Sequence, residues 1–225
     1  MIKQVLISLL LAFNLSVNAE EVDPFEETNR SIYEFNESLD SNVLEPVSRA
    51  YKNNIPEAAQ KGIGNFLGNL ADVSTLANQI LQFKPIESAE TLARILVNTT
   101  IGLGGLFDVA SDMGLITEDE DFGQTMAVWG VEQGPYVVLP LLGPSTVRDG
   151  IGTYVDLTSP ANMVGEIDEV GVSVINVVDK RVDLLPITDI LDQSDDPYIT
   201  MRSSYLQKRN NDIYDGNVPV TDDDF

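Results

Sequence analysis

The clearest indication of the fold is in residues 63–81, IGNFLGNLADVSTLANQIL. The larger apolar residues of this stretch recur at steps of three and four positions, which is the spacing of one face of an α-helix. The stretch therefore predicts one long amphipathic helix. The same spacing recurs in residues 89–100, after Pro85, and predicts a second helix.

Further helices are predicted towards both ends of the chain. Residues 170–185 are rich in Val and Ile, yet their apolar positions fit a helical period better than strict alternation. Asp23-Pro24 and Asp196-Pro197 indicate helix starts, because an acidic cap followed by proline is a common N-terminal signal. The last helix is expected to end near Arg209. Since no repeat or long linker divides the chain, we predict an all-α protein with a single domain.

The N-terminal segment has the pattern of a secretory signal peptide. A positive start and an apolar run from Val5 to Phe13 precede small residues that suit cleavage after Ala19. We expect residues 1–19 to be removed, residues 20–210 to form the helical domain and residues 211–225 to be an acidic, disordered tail. An exported chain without Cys fits a bacterial periplasm, where unpaired thiols would be oxidised.

The composition excludes several classes of function. The 225 residues include 13 Lys and Arg against 36 Asp and Glu, giving a formal net charge of −23. Nucleic-acid binding is not expected, because it requires clustered positive charge. The chain has no Cys and no His, which removes thiolate catalysis, the usual general base and the commonest metal ligand. We therefore predict no enzyme activity, no metal site and no cofactor.

Motifs typical of common enzyme sites are mostly absent from the sequence. There is no Gly-x-Ser-x-Gly and no Gly-Lys sequence, so a nucleophile elbow and a nucleotide phosphate-binding loop are excluded. Residues 118–121, EDED, lack the spacing of an EF-hand and are interpreted as a solvated acidic loop. With so many acids, a carboxylate pair for glycoside hydrolysis stays open, but no particular pair is distinguished.

One long stretch has an unusual composition. From Ile95 to Val147 there is no Lys or Arg, and residues 102–107 and 134–143 are strongly apolar. Proline and glycine interrupt residues 126–143, so this stretch cannot form a spanning helix. Composition leaves two interpretations open, namely a buried loop and core segment, or an apolar surface that enters a membrane or holds an acyl chain.

A series of short motifs lies in order along the chain from Asp23 to about Arg209. They are Asp23-Pro24-Phe25-Glu26, Asn29-Arg30, Asn65-Phe66, Asn69-Leu70, Arg94, Asn98-Thr99-Thr100, Gly102, Gly104-Gly105, Asp108-Val109-Ala110, Glu120-Asp121-Phe122-Gly123-Gln124-Thr125, Trp129-Gly130-Val131, Gly134-Pro135-Tyr136, Leu139-Pro140, Gly143-Pro144-Ser145, Arg148-Asp149 and Ser194-Asp195-Asp196-Pro197-Tyr198. Together these motifs resemble the MlaA (VacJ) family of outer-membrane lipid-asymmetry proteins.

The resemblance implies an all-helical, ring-like protein whose amphipathic helices lie in the inner leaflet of the outer membrane. It implies an amphipathic channel that removes mislocalised phospholipid from the outer leaflet. The implied partners are a trimeric porin and a soluble periplasmic lipid carrier of the Mla pathway. Family members are typically lipoproteins with a Cys at the cleavage site, whereas Ala19-Glu20 stands there in this chain. Attachment is therefore expected through embedded helices and the porin.

Site residues are expected in the apolar segment that carries the most specific motif. The predicted lipid path or gate is Tyr136, Val137, Val138, Leu139, Pro140, Leu141 and Leu142, with hinges at Gly134, Pro135, Gly143 and Pro144. Gly and Pro at the ends of a segment can localise a backbone movement, although the segment could instead pack the core. Candidates for a polar route, or for structural ion pairs, are Arg94, Asn98, Arg148 and Asp149.

Besides the carboxylate-dependent hydrolase, two non-enzymatic functions stay open from the sequence. One is a porin-associated scaffold that does not move lipid, and the other is a soluble periplasmic lipid-binding protein without a channel.

Overall fold

The computed structural model describes residues 23–158, 169–191 and 193–219. The predicted signal peptide and residues 220–225 of the predicted tail lie outside these ranges. The elements of the described part are α1 (Glu26–Leu39), a π-helix (Asp40–Leu44), α2 (Glu45–Asn54), α3 (Glu57–Leu81), α4 (Pro85–Thr100), α5 (Val109–Asp112), α6 (Phe122–Val128), β1 (Tyr136–Leu139), β2 (Gly143–Thr146), α7 (Val147–Thr158), α8 (Glu169–Leu191) and α9 (Pro197–Ile213).

The helices confirm the predicted all-α class. The apolar periods at residues 63–81, 89–100 and 170–185 lie within α3, α4 and α8 respectively. The carboxylate of Asp196 accepts a hydrogen bond from the N–H of Ile199 and caps α9, as the Asp-Pro pair predicts. This helix continues to residue 213, so the first residues of the predicted tail are helical.

The predicted start of the first helix is wrong by a few residues. Helix α1 begins at Glu26 without a side-chain cap, not at Asp23-Pro24. The carboxylate of Asp23 is buried and accepts hydrogen bonds from Tyr198 and Arg202 of α9. Its side chain therefore joins the N-terminal segment to the last helix, and this tertiary contact takes the place of a local cap.

The predicted lipid-path segment folds as a β-hairpin, so the described part of the chain is not wholly helical. Strands β1 and β2 are antiparallel, with Leu139 opposite Gly143. The prolines within and around the segment disfavour a helix. Gly143 has a φ of 81°, in the left-handed region that glycine adopts at little cost.

Burial in this protein is inverted relative to a helical protein that folds in water. Among the described residues, 20 polar or charged residues are buried against 7 hydrophobic ones. In α3, the side chains of Asp72, Thr75 and Asn78 are buried, whereas Ile80 and Leu81 are exposed. An amphipathic helix of a soluble domain normally buries its apolar stripe, so α3 faces the other way.

Large apolar side chains are exposed along α4 and the turn that follows it. They include Leu92, Leu96, Ile101, Leu103 and Phe107. Exposed apolar surface on this scale marks contact with a membrane or with another protein. Within residues 23–158, 169–191 and 193–219, no helix combines the length and the apolar character needed to cross a membrane.

Helices α6 and α7 approach each other closely enough to require glycine. A Cβ atom at Gly152 would lie 2.4 Å from the backbone nitrogen of Gly123. We expect Gly152→Ala to lower the free energy of unfolding by about 2 kcal/mol or more, because neither backbone can move without disturbing its packing. Thermal unfolding of the purified full-length protein, followed by circular dichroism, measures this change.

Gly68 provides a matched control within α3. A Cβ atom there would meet nothing within 4 Å, so Gly68→Ala should stabilise the helix by roughly 0.5–1 kcal/mol. Equal midpoints for the two variants would contradict the close contact between α6 and α7.

Candidate functional site

A polar cavity of about 1130 Å³ lies among α3, α7, α8, α9 and the loop before α6. Its volume is at or above the usual range for small-molecule sites, about 300–1,000 Å³. The lining residues are Ala71, Ser74, Thr75, Thr117, Glu118, Asp119, Glu120, Asp121, Gln124, Leu142, Asp156, Asn176, Lys180, Tyr205, Lys208, Arg209, Asn211, Asp212 and Asp215.

The polar stripe of α3 forms one wall and holds the loop that forms the next. The hydroxyl of Thr125 donates to the side-chain oxygen of Asn78 at 2.8 Å. The amide of Gln82 donates to the carboxylate of Glu120 at 2.8 Å. Because buried polar groups need partners, these contacts explain why the polar side of α3 turns inward.

Arg209 of α9 connects three elements at the cavity wall. Its guanidinium binds Asp121 at 2.5 and 2.8 Å and Asp149 at 2.8 Å. The same Asp149 carboxylate accepts hydrogen bonds from the hydroxyls of Thr146 and Tyr205, at 2.8 and 2.9 Å. Burial alone would raise the pKa of Asp149, but the hydrogen bond and charge of Arg209 outweigh it and lower the pKa to about 2. The carboxylate is therefore held ionised in the interior.

Two asparagines of α1 hold the free edge of β1. Asn29 donates to the carbonyl of Tyr136 at 3.1 Å and accepts from the N–H of Val138 at 2.9 Å. Two turns later, Asn36 makes a similar pair with a carbonyl at the end of β1 and an N–H in the hairpin tip, at 3.0 and 2.8 Å. Helix α1 thus supplies the hydrogen bonds that a third strand would otherwise make.

The structure divides the predicted lipid-path residues into buried and exposed parts. Tyr136 and Val138 are 1% and 2% exposed and form a core cluster with Tyr198. Tyr136 and Val138 therefore pack in the core, which was the alternative interpretation of this segment. Leu141 and Leu142 are exposed at the tip, and Leu142 lines the cavity. The others are Val137 and Leu139, which are half-buried, and Pro140, which is exposed.

Of the predicted hinge residues, Gly134 and Pro135 precede β1, whereas Gly143 and Pro144 are the first two residues of β2. Gly134 and Gly143 both have positive φ, 68° and 81°, and each is followed by a half-buried proline, Pro135 and Pro144. These glycines therefore occupy the backbone conformations at which a larger residue would be strained.

The four predicted polar candidates lie outside the cavity lining; they are Arg94, Asn98, Arg148 and Asp149. Arg94 donates to Asp72 at 3.3 Å, and the amide of Asn98 donates to Asp108 at 3.0 Å. Arg148 donates to its neighbour Asp149 at 3.0 Å. These four residues therefore form hydrogen bonds and ion pairs within the protein, which is the structural role that the sequence left open for them.

Sequence analysis missed most of the cavity lining. Ser74 and Thr75 of α3, Asn176 and Lys180 of α8, and Arg209 were not selected. One signal was available, because polar residues of α3 recur at steps of three and four positions opposite the apolar stripe. The α8 and α9 positions had no local signal, since only tertiary packing brings them to the cavity.

Comparison with known proteins places the chain in a family. A family model described as MlaA lipoprotein matches residues 21–212. The intermembrane phospholipid transport system lipoprotein MlaA of Shigella flexneri is 36% identical over 191 residues, which cover 83% of this chain and 76% of that protein. The protein of the same name from Escherichia coli (strain K12) is 36% identical over 198 residues, with the same coverage. An uncharacterized protein of Rickettsia felis is 34% identical over 194 residues, covering 84% of this chain and 77% of that protein.

A solved structure agrees with the sequence relatives. That structure describes the structural basis for maintenance of bacterial outer membrane lipid asymmetry, and its sequence is 34% identical to this chain. The match has a TM-score of 0.76 and covers 86% of this chain and 100% of the other. The ordered motifs, the family model, the relatives and the shared fold agree, and the chain belongs to the MlaA lipoprotein family.

Proposed function

We propose that this protein transports phospholipid from the outer leaflet of a bacterial outer membrane and so maintains lipid asymmetry. Relatives at 36% identity are named as parts of an intermembrane phospholipid transport system. The observation that carries the proposal is the inverted burial, with a polar cavity inside and large apolar side chains outside. This distribution suits a protein that places an aqueous route within lipid. The proposed transport involves no covalent chemistry.

The two surfaces match the two parts of a phospholipid. Exposing an acyl chain to water costs about 0.8 kcal/mol per CH₂ group, so the tails must stay in an apolar environment throughout. In our proposal, the headgroup enters the polar cavity while the tails follow apolar side chains near its mouth. Leu142 is the apolar member of the cavity lining that lies in the hairpin tip.

The protein is proposed to lie on the periplasmic side of the outer membrane, embedded in the inner leaflet. Its net charge of −23 opposes adhesion to anionic headgroups. Insertion of exposed side chains such as Leu96 and Phe107 can supply the attachment, since full burial of such a side chain contributes about 1.5–3 kcal/mol.

The hairpin tip is proposed as the gate, with movement centred on Gly143, where the tip joins β2. The exposed Leu141 and Leu142 would then contact acyl chains, while the buried part of β1 stays fixed to the core.

We further propose a trimeric porin as the neighbour in the membrane. A soluble periplasmic carrier of the Mla pathway would receive the lipid.

Leu142→Asp tests the function without disturbing the core, because this side chain is 58% exposed. A carboxylate among lipid tails costs several kcal/mol when dry, so clearance of outer-leaflet phospholipid should fall at least about tenfold. The measurement is the outer-leaflet phospholipid of cells whose own copy of the gene carries the change, together with their survival in detergent and bile salts.

Val218→Asp is the control, because this side chain is also exposed and apolar but lies outside the cavity lining. It should leave lipid clearance unchanged. Normal clearance by Leu142→Asp, at a normal protein level, would remove the hairpin tip from the lipid path and favour a porin-associated scaffold.

A further inference from the structure

Most charged side chains around the cavity are neutralised by ion pairs inside the protein. Their N–O distances are 2.5–2.7 Å, and the pairs are Arg209–Asp121, Lys208–Asp212, Lys84–Glu120 and Lys84–Asp215. Asp156 is also engaged, because its carboxylate accepts hydrogen bonds from the N–H of Phe122 and the side chain of Asn78. Burial raises the pKa of Asp156, although these hydrogen bonds act in the opposite direction. These groups have little capacity left for a ligand.

Unlike Asp156, three charged side chains of the lining have neither an ion-pair partner nor a side-chain hydrogen bond among the described residues. Lys180 lies on α8, one turn after Asn176, and both line the cavity. Glu118 and Asp119 lie in the loop before α6 and are exposed. Within residues 23–158, 169–191 and 193–219, the cavity therefore presents one unpaired cation on α8 and two unpaired carboxylates in the loop before α6.

The cavity wall also contains a hydrogen-bond donor without an acceptor among the described residues, the Nε–H of Arg209. Arg209 is 8% exposed. Its other nitrogens bind Asp121 and Asp149. A buried donor without an acceptor is unfavourable, so this nitrogen is an unsatisfied donor of a residue in the cavity wall.

We infer that the cavity selects zwitterionic phospholipid headgroups, in which a phosphate and an ammonium group are joined by a short linker. Lys180 binds the phosphate, and Glu118 and Asp119 bind the ammonium group. An ammonium side chain is a common phosphate ligand. Carboxylates in turn complement the positive charge of the headgroup's ammonium group. This inference rests on the proposed transport function and specifies which lipids it serves.

An anionic headgroup, such as phosphatidylglycerol, fits this arrangement poorly. Its phosphate can still meet Lys180, but it brings no positive charge to Glu118 and Asp119. The headgroup therefore leaves the two carboxylates without a cation. Electrostatic complementarity of this kind controls selection among otherwise similar ligands.

The test uses the full-length protein and vesicles of equimolar phosphatidylethanolamine and phosphatidylglycerol. The detergent-solubilised protein is mixed with the vesicles and re-isolated, and its bound lipids are quantified by mass spectrometry. We expect phosphatidylethanolamine to be enriched about fivefold, the Boltzmann factor of one ammonium–carboxylate contact at about 4 Å in water. The double variant Glu118→Lys, Asp119→Lys should reverse the preference in favour of phosphatidylglycerol.

A control with the same change in net charge separates local from global electrostatics. Glu57→Lys with Glu87→Lys alters two exposed acids in the first turns of α3 and α4, outside the cavity lining. This control should keep the preference of the unmodified protein. Lys180→Glu should lower the total lipid bound, because the phosphate loses its cation.

The outcomes distinguish this inference from the proposed function. Bound phospholipid with no headgroup preference, or a preference unchanged by Glu118→Lys with Asp119→Lys, would overturn the inference and leave lipid transport standing. An unmodified protein that carries no phospholipid would overturn both.

Discussion

Replacing Arg209 by Leu is expected to lower the free energy of unfolding by about 3–5 kcal/mol. The substitution leaves buried Asp149 with only Arg148 as a cation and removes the main contact that holds its pKa at about 2. It also frees Asp121, the other carboxylate that the guanidinium binds. Urea unfolding of the purified full-length protein, followed by circular dichroism, measures the loss.

The pH dependence of this loss has a definite direction. Asp149 has a folded pKa below its unfolded value of about 3.9. Its stabilising contribution is therefore present above pH 4 and is lost as the pH falls towards 2. The stability difference between the unmodified protein and Arg209→Leu should shrink over that range.

Two further variants test whether the effect belongs to the buried network. Arg209→Lys keeps the charge but not the planar set of donors that reaches two carboxylates, so it should recover only part of the loss. Arg49→Leu removes a surface partner of Glu45, with the Arg49 side chain 49% exposed, and should cost less than about 1 kcal/mol. A loss for Arg209→Leu as small as that for Arg49→Leu would mean that the network does not hold the helices together.

Replacing Asn29 by Ala is expected to cost about 2–5 kcal/mol and to loosen the hairpin. The carbonyl of Tyr136 and the N–H of Val138 would each lose a buried partner, and so would the carboxylate of Asp23. Hydrogen exchange at the Val138 amide should accelerate by at least about a hundredfold if the edge opens locally. Amide exchange and urea unfolding report these two effects separately.

Asn42→Ala is the matched control for this change. The side chain of Asn42 is exposed and donates to the carbonyl of Ser38 within the helical segment. Its replacement should change stability by less than about 0.5 kcal/mol and leave exchange in the hairpin unaltered. Unchanged exchange at Val138 in Asn29→Ala would show that β1 holds its edge without α1.

The asparagine contacts bear on the proposed gate. Asn29 holds the buried half of β1, whereas Asn36 binds the tip, where its contact with the N–H of Leu141 is exposed. Exposed hydrogen bonds open more readily than buried ones. A movement confined to the tip therefore needs to release only the Asn36 contacts, and the core around Tyr136 can stay packed.

Much of the helical structure could be predicted from sequence because it depends on local patterns. The apolar period of α3 and the Asp196-Pro197 cap act within a few residues, and both predictions are confirmed. The family could also be identified, since its motifs are short and lie in a fixed order. The Asp23-Pro24 signal failed because a partner 175 positions away, Tyr198, engages the carboxylate.

The hairpin and the cavity required the tertiary structure. A period of three to four residues shows that α3 has two unlike faces, but it carries no information on which face meets water, protein or lipid. Asn29 contacts a strand 107 positions further along the chain, and Lys180 reaches the cavity only because α8 packs beside α3. Local sequence thus specified the helices, and long-range packing specified that their polar faces turn inward. The physical reason is that burial is decided by which surfaces meet, and no local pattern contains that information.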